Sequence, residues 1–353
     1  MSDSNRPSRD TTLLRALAEA LPEPVLAVGG DGRILAANDP ARQLLPALRL
    51  GDQLALALRS PDVLDGIARV RSGGRAEMVQ WLERVPVERL FDVHVAGIDA
   101  AGYEAAVILT LRDMTEVRRV ERMRVDFVAN ASHELRTPLA SLLGFIETLQ
   151  GAARDDPRAR ERFLEIMHGQ AARMSRLVDD LLSLSRIEQN LHLRPAKPVD
   201  LALVTRHIAD TLARMARDGN VALQVEAPDE VLVTGDHDEL ARVAENLIEN
   251  AIKYGSRNDG GIAAPVEIDV RATGRDGVLT VRDHGPGIAR EHLPRLTERF
   301  YRIDAGQSRA KGGTGLGLAL VKHIMAHHRG RLTVDSVPGE GATFKAMIPL
   351  HEK

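Results

Sequence analysis

The chain has 353 residues, enough for two or three domains of ordinary size, with 47 basic against 50 acidic residues and a formal charge of -3. That balance gives no overall argument for nucleic acid or an anionic membrane surface as partner. The absence of cysteine excludes disulfides, thiolate metal sites and a cysteine nucleophile, and is compatible with a reducing cytoplasm.

The opening MSDSNRPSRD is polar and lacks the apolar core of a signal peptide, so residues 1–12 are expected to be disordered. Nowhere do about 18 apolar residues run uninterrupted. The expectation is a cytoplasmic protein with no membrane span in this chain, or the soluble part of a sensor whose anchor lies outside it. From 13 to 113 the text has the rhythm of a mixed α/β domain. An apolar run at Pro24 to Val28, the turn Gly29-Gly30-Asp31-Gly32 and the run Ile34 to Asn38 read as a hairpin, because Gly and Asp supply the positive backbone angles a tight turn needs. Short helices follow between Asp39 and Arg71, then strands at Arg89 to Val95 and Tyr103 to Arg112 joined by a turn at Gly102.

Between 114 and 192 the pattern becomes helical. Val128, Ala131, Leu135, Leu139, Leu142, Ile146 and Leu149 recur at spacings of three and four, which places them on one stripe. The break GAARDDP is followed by a second stripe through Leu164, Met167, Ala171, Met174, Val178 and Leu181. Two such helices form an antiparallel hairpin whose wide apolar face calls for a second copy, so a dimeric four-helix bundle is expected. RPAKPVD, ending the stretch 193–200, reads as a linker, since its two prolines resist helix. From 201 to 353 helices at Leu201 to Arg217, Asp236 to Tyr254 and Leu318 to His328 alternate with strand-like segments, as in a layered α/β domain.

Within the first long helix lies FVANASHELRTPLASL, from Phe127 to Leu142. His133 and Thr137 are four apart and share a face, while Glu134 stands about 100 degrees around the helix. A neighbouring carboxylate can accept a ring proton and leave the other imidazole nitrogen as a nucleophile near neutral pH. Pro138 lacks the N–H that would bond the carbonyl of Glu134, so a kink is expected beside the histidine. A lone helical histidine is ordinarily a surface or core-edge residue, and these neighbours argue otherwise. SHELRTPL resembles the phosphoacceptor box of two-component sensor histidine kinases throughout its length. The resemblance implies that His133 takes the γ-phosphoryl of ATP, that Glu134 is its acid/base partner and that Thr137 helps to position water in dephosphorylation.

In ARVAENLIENAIKYG, Asn246, Asn250 and Lys253 fall on one helix face. Amide oxygens suit magnesium and a lysine suits phosphates; the alternative is a solvated face opposite a core of Leu247, Ile248, Ala251 and Ile252. RDHGPGIAR puts Asp283 at a strand end before Gly285 and Gly287, where missing side chains let a ligand approach the backbone and a buried aspartate can accept from an exocyclic amine. KGGTGLGLALVK is a glycine-rich loop entering a helix, attractive to phosphate; it is not GxxxxGK[ST], which removes the Walker-type reading.

In order, NLIENAIKY, DHGPGI, ERFYRID, GGTGLGLAL and GEGATF resemble the N, G1, F, G2 and G3 boxes of the histidine-kinase ATPase domain, a fold shared with gyrase-type and Hsp90-type ATPases. By position the resemblance makes Asn250 the magnesium ligand supported by Asn246, Lys253 a phosphate contact, Tyr254 an adenine neighbour and Asp283 the adenine reader in a turn shaped by Gly285 and Gly287. Phe300 and Arg302 flank a lid running from Ile303 to Lys311. Gly313, Gly315 and Gly317 lie under the phosphates, Leu316 belongs to the same nucleotide-binding box, and Thr343 belongs to the last box. Within the family the histidine segment is similar to the phosphate-regulon sensor kinases.

Leu21 to Leu45 is similar to the opening of a PAS sensor domain, where a structural role is expected over a cofactor pocket; His94, the domain's histidine, sits in a strand-like alternation. LRDMTEVRRVERMRVDF has neither Gly nor Pro and joins this region to the histidine helix as one continuous helix. The fold class expected is multidomain α+β: PAS-like sensor, dimeric helical hairpin, linker and ATP-binding α/β sandwich. ATP and Mg2+ are the implied cofactors and the receiver domain of a response regulator the implied partner. An ATP-driven conformational machine and a scaffold without turnover remain open alternatives at this point, as does a membrane receptor.

Overall fold

A computed structural model describes residues 16–84, 87–98, 106–190, 193–227, 229–255, 264–304, 306 and 313–352. The expected disordered start, the Gly102 turn and most of the expected lid lie outside the described residues. The chain parts into two compact units, Met1–Asp126 and Phe127–Lys353.

In the first unit the alternating apolar residues form one antiparallel sheet. β1 (Val25–Val28) and β2 (Ile34–Ala37) are a hairpin, and Gly32 in its turn adopts φ 83°, a region open to glycine. Asn38 then caps α1 (Asp39–Leu44), followed by α2 (Leu54–Ala57) and α3 (Pro61–Arg71). β3 (Glu77–Glu83), β4 (Arg89–Gly97) and β5 (Val107–Asp113) complete a sheet of order β2-β1-β5-β4-β3. Trp81 stacks on Phe91 with ring centroids 5.0 Å apart. β3 is a strand that the sequence reading did not anticipate: Val79 and Trp81 face the core, but exposed Met78 and Leu82 on either side of them blur the period of two. His94 points to the side of β4 opposite buried Val93 and Val95.

The second unit starts inside α4 (Thr115–Gln150), which the loop at 151–156 joins to α5 (Pro157–Asn190). Asp156 starts α5 by accepting from the N–H groups of Arg158 and Ala159, at 2.9 and 3.0 Å, which satisfies two of the orphan donors of a helix start. α4 remains helical through Pro138, which is buried. Val128, Leu139, Leu143, Ile146, Leu164 and Val178 are exposed along the hairpin. At its far end Leu184 and Ile187 enter the core of the layer that follows.

Part of the expected linker is a strand. β6 (Lys197–Asp200) pairs with β8 (Leu232–Gly235), and because this sheet has two strands, both are edges, where Pro198 is tolerated. α6 (Leu201–Asp218), α7 (His237–Tyr254) and α8 (Gly317–His327) pack on a second sheet of order β11-β12-β10-β9-β7. Its strands are β7 (Leu223–Glu226), β9 (Val266–Thr273), β10 (Asp276–Asp283), β11 (Arg331–Val337) and β12 (Gly341–Pro349). Buried Val266, Ile268, Val270, Leu279 and Val281 alternate along β9 and β10, so one sheet face carries the core and the helices cover it.

Candidate active site

α7 is the backbone of the site. Asp236 caps it by accepting from the N–H groups of Asp238 and Glu239 at 3.0 and 3.1 Å. Leu240, Val243, Ala244, Leu247, Ile248, Ala251 and Ile252 are buried on one side, and this turns Asn246, Asn250 and Lys253 toward a cavity of about 340 Å³. The Asn246 amide N–H donates to the Arg242 carbonyl at 2.8 Å, and its Oδ1 faces Gly317, where a Cβ would come within 2.2 Å of it. Lys253 pairs with Glu249 at 2.7 Å.

Tyr254, Asp283 and Gly287 line the same cavity. Asp283 Oδ1 accepts from the N–H of Gly285 at 2.9 Å and of Ala342 at 3.3 Å; Oδ2 has no hydrogen-bond partner among the described residues. Burial pushes the Asp283 carboxyl above the usual carboxylate range, against the pull of those two N–H groups and of His284. Gly285 is buried beneath the site, and a Cβ there would lie 2.5 Å from the Tyr254 carbonyl. Close approach, more than turn freedom, is what requires glycine at that position.

The glycine-rich loop supplies Gly313, Thr314, Gly315 and Gly317 to the wall. Arg302 lies against it: one guanidinium nitrogen, Nη2, donates to the Gly313 carbonyl at 2.9 Å and to Glu134 Oε2 at 3.0 Å. Its Nε is buried without a hydrogen-bond partner among the described residues and faces Gly315, whose hypothetical Cβ would be 3.1 Å away. A buried donor without an acceptor costs about 1–3 kcal/mol.

His133 is exposed on α4, and the Thr137 hydroxyl donates to its carbonyl at 3.2 Å. Glu134 is tied to Arg302 and also to Arg173 of α5, at 2.9 Å. The cavity wall does not include His133, Glu134 or Thr137. Three further expected residues also stand apart from it. Phe300, at φ 62°, meets the Phe127 ring at 6.0 Å; Leu316 is fully buried in the core; and Thr343 lies on the side of β12 opposite Ala342 and Phe344, which do line the cavity.

Sequence reasoning passed over Thr314, Arg242, Arg176 and Asp180, all in the wall. Thr314 lay inside a quoted box. Asp180, on α5, accepts from the Thr314 hydroxyl at 2.9 Å, a contact that no local pattern announces. Burial raises the Asp180 carboxyl, with Thr314 and Arg242 working in the other direction.

Two family models match the second unit and the helix that leads into it. The family model described as "His Kinase A (phospho-acceptor) domain" matches residues 123–190, and the one described as "Histidine kinase-, DNA gyrase B-, and HSP90-like ATPase" matches residues 235–352. The chain belongs to the sensor histidine kinases. It is 41% identical over 239 residues to the phosphate regulon sensor protein PhoR of Pseudomonas aeruginosa, covering 67% of this chain and 52% of that protein. To the sensor-like histidine kinase SenX3 of Mycolicibacterium smegmatis it is 36% identical over 242 residues, covering 69% and 62%. The sensor protein kinase WalK of Staphylococcus saprophyticus matches 92% of this chain at 31% identity, over 53% of its own length. The chain therefore spans between about half and three fifths of these relatives. Among solved structures, the histidine kinase ThkA in complex with response regulator protein TrrA shares the fold, with a TM-score of 0.50 at 22% identity over 95% of this chain and 97% of that one. Among the described residues no helix is long and apolar enough to cross a membrane.

Proposed function

We propose that this chain is the kinase part of a two-component sensor. It transfers the γ-phosphoryl of ATP to an imidazole nitrogen of His133: the bond from phosphorus to the bridging oxygen breaks, ADP leaves, and a nitrogen–phosphorus bond forms. The group then passes to an aspartate on the receiver domain of a response regulator, the class of partner seen with ThkA, and dephosphorylation of that regulator is the second activity. Catalysis of this kind consists mostly of positioning and charge neutralisation. The observation that carries the reading is a single cavity walled by Asn246, Asn250, Lys253, Asp283, Arg302 and the glycine-rich loop, which gathers amide oxygens, cationic donors and a buried acceptor in one place.

In this reading Asp283 accepts from the adenine amine beside Tyr254, Lys253 and Arg302 hold phosphates, and Gly313, Gly315 and Gly317 let them approach the backbone. The donor set fits magnesium: Asn250 and Asn246 bring neutral amide oxygens to one wall, suited to a hard cation that keeps several waters. When bound, the ion neutralises phosphate charge. Glu134 serves as proton acceptor for His133 and Thr137 orients water for the phosphatase reaction; Glu134 must first leave Arg302 and Arg173. A second copy covers the exposed hairpin stripe to make the dimer. In the first unit, the order strand, tight turn, strand, Asn38 and short helix supports the PAS-like assignment, and α4, helical across the boundary at Asp126, supports transmission to His133.

The test is incubation with γ-labelled ATP and magnesium, beside a His133→Gln variant, followed by acid and alkali treatment. Label confined to the parent protein, stable in alkali and lost in acid, is the expected result. Nucleotide binding with no label in either protein returns the chain to the scaffold or conformational-ATPase class.

A further inference from the structure

The hairpin meets the nucleotide layer through charged contacts. Glu134 of α4 bonds Arg302, Asp180 of α5 accepts from Thr314 and lies 3.9 Å from Arg242, and Glu188 of α5 pairs with Arg299. In these contacts the hairpin supplies the carboxylate and the layer the guanidinium or hydroxyl; Arg176 of α5, against Glu249, runs the other way. Neither of the two inner contacts is an exposed surface pair: the side chains of Arg302, Glu134 and Asp180 are 7%, 16% and 13% exposed. Hydrogen bonds to ionised groups in such places are stronger than neutral ones.

Two of the layer's own acids in this cavity, Glu249 and Glu245, already have cationic partners. Glu249 has Lys253 at 2.7 Å and Arg176 at 3.6 Å, and Glu245 has Arg242 at 3.9 Å. Glu134 and Asp180 differ, because they come from the hairpin and occupy Arg302 and Thr314, the donors that border the glycine-rich loop. A polyphosphate needs those same donors, and its charge would meet two carboxylates held against them.

We infer that Asp180 and Glu134 form an internal anion that stands in for the nucleotide's phosphates at Thr314 and Arg302, so that this docked state and nucleotide binding oppose each other. The inference rests on the nucleotide-site reading above. Binding of ATP displaces the two carboxylates, which frees Glu134 for His133 and releases the layer from its grip on α5. In this way nucleotide entry is coupled to the movement that brings the cavity to the histidine, and a ligand can shift such an equilibrium only through its differential affinity for the two states. Removing Asp180 takes away one charge-assisted contact that the docked state alone enjoys, leaving that state less favoured against the bound one.

The experiment uses the full chain and a fluorescent ATP analogue with magnesium, titrated into the parent protein, Asp180→Ala, Asp180→Asn and Asn250→Ala, with thermal unfolding of each as a check on folding. Alanine is a good helix former, so α5 tolerates it. Asp180→Ala should bind about tenfold more tightly than the parent, with Asp180→Asn between them, and the gain should vanish in a Thr314→Val background, where Asp180 has lost its donor. Unchanged affinity in folded Asp180→Ala overturns the inference. Weaker binding also overturns it and assigns Asp180 to holding the metal–phosphate group. No binding in the parent, Asp180→Ala or Asp180→Asn would instead bring down the nucleotide-site reading itself, whereas binding lost only in Asn250→Ala leaves that reading standing.

Discussion

Buried polar side chains show how differently the two units treat polar groups. Asn38 in the first unit is wholly buried; its oxygen accepts from the N–H groups of Val25 and Ala41, and its nitrogen donates to the carbonyls of Ala18, Leu21 and Glu23. Every polar atom of that side chain is used to join β1, α1 and the segment before them. In the second unit the groups around the cavity are left partly unmatched: Arg302 Nε has no acceptor and Asp283 Oδ2 no donor among the described residues. In the first unit Arg71 Nε is likewise unmatched, at the last residue of α3. A polar group satisfied from within holds a fold together; one left open inside a cavity marks where a ligand belongs.

The contrast can be broken first at Asn38. Asn38→Ala strips the partners from several buried backbone groups, and at about 1–3 kcal/mol for an unsatisfied group the first unit should lose about 3 kcal/mol in denaturant unfolding. Nucleotide affinity should stay at the parent value; a fall in affinity with no loss of stability would reverse the assignment of Asn38 as structural.

Asp283→Asn comes next. An amide placed there offers an N–H where the adenine amine needs an acceptor, so affinity for the ATP analogue should drop about thirtyfold, equivalent to about 2 kcal/mol. GTP makes the contrast sharper: its affinity should fall far less, and equal losses for both nucleotides would remove Asp283 as the adenine reader. Because burial raises the Asp283 carboxyl, its charge opposes folding near neutral pH, and Asp283→Asn should not lower the melting temperature at pH 7. The sign follows from linkage: a carboxyl with a raised folded pKa takes up its proton more readily in the folded state, so it favours folding as pH falls and disfavours it above.

The smallest effect is expected at the adjacent histidines that end α8. His327 Nδ1 is 2.8 Å from Glu239 Oε2, and its Nε2 meets the Leu193 carbonyl; two acceptors require both ring nitrogens to carry protons. Burial alone would depress this histidine, but the Glu239 and Leu193 contacts outweigh it and raise its pKa. His328 is the opposite case, its Nε2 accepting from the Asp236 N–H at 3.0 Å and its Nδ1 donating to the Ile324 carbonyl at 2.9 Å, with burial lowering its pKa. The stabilisation from His327 is therefore complete below its unfolded pKa and is lost as pH rises through the folded one. That from neutral His328 is complete above its unfolded pKa and is lost as pH falls through the folded value. His327→Gln should cost about 1 kcal/mol below pH 6 and less at pH 8 and above, as read from unfolding midpoints across pH. A cost independent of pH would show that the imidazolium is not what binds Leu193.

Much of the architecture was legible before any coordinates. The hairpin helices declared themselves because a stripe repeating every three or four residues is a local signal, and α4 ends and α5 begins close to where GAARDDP predicted. The cavity wall was legible through α7, whose core-facing residues leave Asn246, Asn250 and Lys253 on the other side. β3 was not, since Met78 and Leu82 are apolar and exposed, and neither was β6, since proline in RPAKPVD argues against helix without saying that an edge strand awaits it.

What the sequence by itself determined are the elements and the residue types gathered in each box, because helix periodicity, caps, turns and glycine-rich loops act over a few residues. Tertiary structure alone decided that Glu134 would meet Arg302 and that Asp180 would take the hydroxyl of Thr314. Such partners are far apart in the chain and leave no period or spacing to read; only the packing of α5 against the layer, through Leu184 and Ile187, brings a carboxylate of one helix to a cavity built by others.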